Sequence, residues 1–287
     1  MFYLSQLYCQ TLGMNVLKRT VCALAVAAMA LVAFASPATA IIGGHQAMQF
    51  PPMASLWSPH DFGNGPIEAF RCGGTLVDQN WVLTSAHCVA ESDDPVTADQ
   101  LQLRIGSNDR TQGGELFGVK KIVVNPTWVE ATADNDLALL QLDHQADIQP
   151  VFPALHKLQA DTPVSMLGWG CAVLPSDCRY STLPTVLNQL DTHTLPLSDC
   201  AAGLAHPGDV CTAPIANGGQ GCAGDSGSPL LYWDKFLHKW ELAGVISRDG
   251  NADPAGVGTC QQNALSTSVN AHLGWVWMTI WQSYSKR

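Results

Sequence analysis

The sequence predicts an all-β protein, a barrel or sandwich of short strands that ends in a single α-helix. Two observations carry this. From Gly73 onward, short apolar runs are separated by Gly, Pro, Asn and Asp, which is the pattern of many short strands joined by turns. Helical spacing is convincing only at the end, where Leu273, Val276, Trp277, Ile280, Trp281 and Tyr284 recur at i, i+3, i+4 and i+7. The chain has 287 residues, 47% apolar and 13% charged. It can therefore bury a large core, as one double-layered domain or two small ones. No repeat, coiled coil or low-complexity tract interrupts it.

In chain order, Lys18-Arg19 precede an apolar run from Val21 to Ala35 and then Ser36-Pro37-Ala38-Thr39-Ala40. That is the charged, hydrophobic and small-residue order of a secretory signal peptide over residues 1–40. A membrane anchor competes, but about 15 apolar residues are short against the roughly 20 that span a bilayer. Met14 offers an alternative start to Met1. Cutting after Ala40 leaves a mature chain of 41–287 that begins Ile41-Ile42-Gly43-Gly44.

Strands are expected from Trp81 to Thr84, at Leu101 to Ile105 (cleanly alternating) and from Val119 to Val124. Others are expected at Leu137 to Leu142, Val164 to Leu167, Leu190 to Leu195, Pro229 to Trp233 and Trp240 to Ile246. Gln149-Pro150-Val151-Phe152-Pro153 reads as a connection between two halves. The terminal helix is expected at about 270–284, with Asn270 as its N-cap.

Net charge is −10; the first 40 residues hold two basic residues and no acid, so the remainder carries −12. Such a chain repels nucleic acid and anionic lipid, and neither is expected as a partner. Ten cysteines are many for a cytosolic protein. Cys9 and Cys22 lie in the leader, and the even eight downstream read as a disulfide framework.

Chemistry points to Gly221-Cys222-Ala223-Gly224-Asp225-Ser226-Gly227-Ser228-Pro229. A serine hydroxyl is a weak nucleophile until a base takes its proton. The glycines let the backbone turn tightly, so that amide N–H groups can face a carbonyl oxygen gaining charge. A plain surface turn is the competing reading. Among nine histidines, only His87 has a telling setting, in Leu83-Thr84-Ser85-Ala86-His87-Cys88 at the end of an apolar strand. The others read as surface residues. Asp136 abuts the apolar run Leu137-Ala138-Leu139-Leu140, where a carboxylate drawn inward must be paired, whereas Asp134 reads as a turn residue. There is no H-E-x-x-H and no paired C-x-x-C, so no metal site is expected.

Six motifs occur in the order found in trypsin-like serine proteases. They are Ile41-Ile42-Gly43-Gly44, Cys72-Gly73-Gly74, Thr84-Ser85-Ala86-His87-Cys88, Asp134 through Leu140, Gly168-Trp169-Gly170 and Gly224-Asp225-Ser226-Gly227-Ser228-Pro229. Residues 41 to the terminal helix thus resemble that family, as a secreted bacterial-type member. The resemblance implies two antiparallel β-barrels packed face to face, at about 41–152 and 153–267, with the helix outside and the cleft between them. It implies Ser226 as nucleophile, His87 as general base and acid, and Asp136 as the group orienting His87. The N–H groups of Gly224 and Ser226 would form the oxyanion hole. Asp225 would pair with the α-amine of Ile41.

The disulfides implied are Cys72–Cys88, Cys200–Cys211 and Cys222–Cys260. Eight cysteines allow about a hundred pairings, and Cys171 with Cys178 is the pair left over. No cofactor is implied. The expected partners are protein or peptide substrates and protein inhibitors of a monomer secreted to the extracellular space or periplasm. Since no Lys or Arg stands immediately before Ile41, signal peptidase is expected to produce the active terminus directly.

Specificity departs from the family pattern. Trypsin itself carries an aspartate six residues before the nucleophile, and here that position is the neutral Gln220. With Gly221, Ser247 and Ala264 as the other expected pocket residues, a medium-sized apolar or neutral polar side chain is expected rather than Lys or Arg. Ser247-Arg248-Asp249 stands where relatives carry Ser-Trp-Gly, and Ser228 replaces a usual glycine with little effect expected. Two other readings compete with a secreted endopeptidase. One is a catalytically silent homologue that binds or adheres, and the other is an esterase. The G-x-S-x-G elbow of an α/β-hydrolase is missing.

Overall fold

A computed structural model describes residues 41–61, 66–171, 183–200, 205–216, 218–250, 260 and 262–285. The leader with Cys9 and Cys22, and Cys178, fall outside these residues.

Six strands close the first barrel: β2 (Met53–Asp61), β3 (Pro66–Asp78), β4 (Trp81–Thr84), β5 (Gln102–Ile105), β6 (Glu115–Val124) and β7 (Ala138–Leu142). Their order around the barrel is β2-β3-β4-β7-β6-β5. The second is formed by β9 (Pro163–Gly168), β10 (Asn188–Leu195), β11 (Asp209–Thr212), β12 (Pro229–Asp234), β13 (Lys239–Asp249) and β14 (Ala264–Ser268). It closes because β9 pairs with both β10 and β12. All twelve pair antiparallel within their barrels, so the all-β, two-barrel architecture holds. Full closure leaves these strands without open edges.

Side-chain alternation fills each barrel. Leu56, Leu76, Val82, Leu103, Ile105, Phe117 and Leu140 form one interior, and Val164, Met166, Leu190, Leu230, Ile246 and Ala264 the other. Ile41 is fully buried among the latter group. Although it precedes the first barrel in sequence, the segment after Ile41 belongs to the second: β1 (His45–Gln46) pairs with β10. The Pro-bearing connection contributes β8 (Phe152–Pro153), which pairs parallel with β13. A third cluster, holding Phe70, Trp81, Leu83, Leu139, Leu167, Trp169 and Val245, joins strands of both barrels.

The terminal helix departs from expectation in two ways. Asn270 is not its N-cap. A 3₁₀ turn over Asn270–His272 comes first, and the Ser268 hydroxyl accepts the Ala271 N–H at 3.3 Å before α-helix Leu273–Ser285 begins. Only Val276 and Ile280 of its apolar face are buried, whereas Trp281 is 62% exposed. Val276 and Ile280 join the core cluster that holds Trp81, with Leu273 and Trp275 packed against it, and polar ties to the first barrel add to this docking. Tyr284 Oη donates to Asp78 Oδ1 and accepts from Asn80 Nδ2, each at 2.8 Å, and Trp81 Nε1 donates to Ser283 Oγ at 3.2 Å. No helix among the described residues is long and apolar enough to cross a membrane.

Candidate active site

β4 reads Trp-Val-Leu-Thr and all four side chains are buried, which fixes where the chain must emerge. Directly after it, the Ser85 hydroxyl donates to Ile246 O of β13 at 2.9 Å, and Thr84 Oγ1 donates to Gly73 O at 2.8 Å. The one-turn helix His87–Ala90 is thus pinned to both barrels. The Cys72–Cys88 disulfide closes the same corner.

β7 carries Asp136 to His87. Asn135 adopts a left-handed φ of 54° and Asn125 donates its N–H to Leu137 O at 2.9 Å, turning the carboxylate inward. Asp136 is fully buried. Its Oδ1 accepts the His87 backbone N–H at 2.9 Å and its Oδ2 meets His87 Nδ1 at 2.7 Å. Ser247 adds a hydroxyl to Oδ2 at 2.6 Å.

Burial alone would push the Asp136 carboxyl up, but the His87 charge and these hydrogen bonds hold it below its ordinary value. For His87, burial pulls the imidazole down. The charge and hydrogen bond of Asp136 outweigh it, so His87 stands above the ordinary histidine value. The Nδ1 contact leaves Nε2 as the ring nitrogen that Asp136 does not engage.

Ser226 lies on a turn that demands glycine. Gly224 has φ +92° and Gly227 has φ +77°, and a Cβ on Gly227 would lie 2.2 Å from Thr84 Oγ1. The turn is latched across the barrels by Gly73 N–H to Ser226 O (2.8 Å) and Gly227 N–H to Ile246 O (2.9 Å). Ser226 and His87 line one cleft of about 470 Å³, together with Phe70, Ala223, Gly224 and the Cys72–Cys88 disulfide. Among the described residues, the Gly224 and Ser226 N–H groups make no backbone hydrogen bond.

Asp225 points away from the cleft. Its carboxylate accepts the N–H of Gly170 at 2.8 Å and of Cys222 at 2.9 Å. The space this carboxylate fills is space a side chain at Gly168 or Gly170 would occupy. No cation pairs with it among the described residues. Complete burial raises its carboxyl to about 7, against the pull of the two hydrogen bonds.

Of the four expected pocket residues, Gln220 and Ala264 meet through Thr212. Gln220 Nε2 donates to Thr212 O at 3.3 Å, and Ala264 stands opposite Thr212 in the β11–β14 ladder. Gln220 is fully buried and also accepts the Gly221 N–H at 3.2 Å. A Cβ on Gly221 would make only ordinary contacts. The Ser247 side chain does not join this group, because its hydroxyl is committed to Asp136. That role escaped the sequence reading; Ser247 lies 111 residues from Asp136, and no local motif links them. Arg248 is explained by another residue that reading did not single out. Its Nη2 lies 2.6 Å from Oδ2 of buried Asp209, and its Nη1 donates to Ala133 O at 3.1 Å. Burial raises the Asp209 carboxyl even against the Arg248 charge.

The disulfides Cys72–Cys88, Cys200–Cys211 and Cys222–Cys260 are present as paired by resemblance. Cys171 is also disulfide-bonded, while the Cys171–Cys178 pairing lies outside the described residues. Cys72, His87 and Cys88 bring three candidate metal-ligand atoms within 4.8 Å, but both sulfurs are spent in the disulfide and offer no thiolate.

Comparison with known proteins gives a consistent neighbourhood. A family model described as Trypsin matches residues 41–275. Trypsin 5G1 of Aedes aegypti is 34% identical over 186 residues, covering 61% of this chain and 64% of the mosquito protein. Granzyme M of Homo sapiens is 35% identical over 207 residues, covering 67% and 74%. Serine proteinase stubble of Drosophila melanogaster is 27% identical over 264 residues, covering 84% of this chain and 31% of the fly protein. The chain thus spans less than two thirds of the mosquito and fly proteins. These relatives are animal proteins, and they give no support to the expectation of a bacterial-type member.

Proposed function

Because the chain belongs to the trypsin family of serine proteases, we propose that it is a secreted serine endopeptidase acting through an acyl-enzyme at Ser226. The observation that supports this best is the Asp136–His87 contact at 2.7 Å, with Ser226 on the same cleft. In this reading Ser226 Oγ attacks the scissile carbonyl carbon while His87 Nε2 takes its proton. The oxyanion is received by the N–H groups of Gly224 and Ser226. Collapse breaks the C–N bond, and His87 returns the proton to the leaving amine. Water, deprotonated by His87, then cleaves the ester and restores Ser226. Asp136 keeps the imidazole in the productive tautomer and offsets its charge.

The α-amine of Ile41, freed by cleavage after Ala40, is proposed to pair with Asp225 and so brace the turn. The neutral, buried Gln220 and the side chain of Ala264 favour a medium-sized apolar or neutral polar residue before the cut bond. Eight disulfide-suited cysteines fit an oxidising, extracellular setting. The rival reading, a silent homologue that only binds, has less support, since no expected catalytic side chain is missing.

The test is labelling by a serine-directed phosphonate together with cleavage of a diverse peptide library. Labelling abolished by Ser226→Ala, with cuts after uncharged residues, is the expected result. A native protein that neither labels nor cleaves would favour the binder.

A further inference from the structure

We propose that Arg110 is a positioning residue for the turn that carries Gly224. It holds Phe70 and Leu183, the two side chains nearest a Cβ built at Gly224, while the backbone of Gly170 forms the third neighbour. The inference rests on the endopeptidase reading, in which the Gly224 N–H faces the developing oxyanion.

Arg110 is only 7% exposed. Its guanidinium lies 4.8 Å from the centroid of the Phe70 ring and 5.3 Å from that of Trp57. Nε donates to Pro184 O at 2.8 Å and Nη2 to Leu183 O at 2.9 Å. The backbone N–H of Arg110 reaches Thr185 O at 2.9 Å. Three consecutive carbonyls of a segment leading into the second barrel therefore end on one residue of the first-barrel chain.

Phe70 and Leu183 are also the side chains that bound Gly224. A Cβ at Gly224 would lie 3.2 Å from Leu183 Cδ1 and 3.6 Å from Phe70 Cε1. Arg110 thus holds one wall of the turn through its ring contacts and the other through its hydrogen bonds. The chemistry suits arginine alone. A planar fork can direct separate N–H groups at two carbonyls while its faces lie on aromatic rings. Lysine is a point charge that cannot do both.

The catalytic consequence is geometric. An oxyanion donor acts only when aimed at the place where charge develops, and a displacement of about 1 Å can cost on the order of 10²-fold. Loosening the wall should therefore slow the chemical step without greatly weakening ground-state binding. A merely structural role would instead lower thermal stability and leave turnover intact at temperatures where the protein remains folded.

The test measures kcat and KM separately for Arg110→Met and Arg110→Lys, alongside the affinity of a peptide boronate that forms a tetrahedral adduct on Ser226. For Arg110→Met the expected result is a kcat lower by roughly 10–100-fold. KM should stay within about threefold, and boronate affinity should fall in step with kcat. Arg110→Lys should fall between Arg110→Met and the native enzyme. If Arg110→Met does not fold, Leu183→Ala decides, since it removes the wall and leaves Arg110 in place; the same loss of kcat is expected. A folded variant with native kcat and boronate affinity overturns the proposal. A native protein that neither labels nor cleaves overturns the endopeptidase reading, and this inference with it.

Discussion

His87 is gripped by Asp136 at two points, the ring Nδ1 and the backbone N–H, so one carboxylate sets both where the imidazole sits and which nitrogen faces the cleft. This has a pH signature. As the proposed base, His87 works only when neutral, and Asp136 holds it above the ordinary histidine value against the downward pull of burial. The acid limb of kcat/KM should therefore lie above that value. In Asp136→Asn it should move to lower pH, because the carboxylate that outweighs burial is gone and only the weaker pull of Glu91 remains, while kcat falls by about 10⁴-fold. A pH–rate profile of both enzymes checks the direction. Ser247→Ala should cost roughly tenfold in kcat, since it removes one hydrogen bond to a buried charge, typically about 1.5–3 kcal/mol. A Ser247→Ala enzyme with native kcat would show that this hydroxyl is idle.

At the scale of the element, the turn bearing Ser226 and strand β3 are fitted to each other. A Cβ on Gly73 would lie 1.9 Å from Ser228 Oγ and 3.0 Å from its Cα. A side chain at position 73 would therefore collide with Ser228. Ser228 Oγ is buried with no hydrogen-bond partner among the described residues. Gly73→Ala should destabilise the protein by about 1–3 kcal/mol through overpacking, and adding Ser228→Gly should recover part of this. Urea unfolding of the double-mutant cycle should give a coupling of roughly 1 kcal/mol or more. Strict additivity would mean that the two positions do not collide.

Strands such as Trp81–Thr84 were legible because apolar runs and turn residues punctuate them. β2, the first half of β3, β11 and β14 were not. β14 reads Ala-Leu-Ser-Thr-Ser and is wholly buried, so its hydroxyls carry no hydrophobic signal. The helix face was over-read for the opposite reason. Trp277 and Trp281 fit the apolar spacing, yet docking at the end of the helix runs through Tyr284 and Ser283.

At the scale of the whole molecule, Ile41 and Asp225, the residue before Ser226, are both fully buried. Ile41 fills the core of the second barrel, and Asp225 is wholly buried with no cation beside it among the described residues. While Ala40 remains attached, the Asp225 carboxyl stands at about 7. Below about pH 4 it is protonated in folded and unfolded chains alike. As pH rises towards 7 the unfolded chain releases this proton and the native one does not, so stability falls, by about 4 kcal/mol at most. If the proposed pairing holds, a chain beginning at Ile41 would set an ammonium against the carboxylate, keep it ionised and lose this dependence. Urea unfolding at pH 4.5 and 7.5 compares the two forms, with Asp225→Asn as control. Equal pH dependence in both would separate Asp225 from the chain start.

Legibility was uneven at this scale too. Local motifs pointed to His87, Asp136 and Ser226. Contacts across the chain, such as Ser247 with Asp136, Arg248 with Asp209 and Arg110 with Leu183, have no signature until folding brings them together.

The most direct measurement of the central claim is mass-spectrometric mapping of the acyl-enzyme trapped by acid quench during turnover of an activated ester. A single adduct on the peptide containing Ser226, lost when His87 is changed to alanine, is the result expected. An adduct on another residue, or one on Ser226 that forms equally fast without His87, would contradict it.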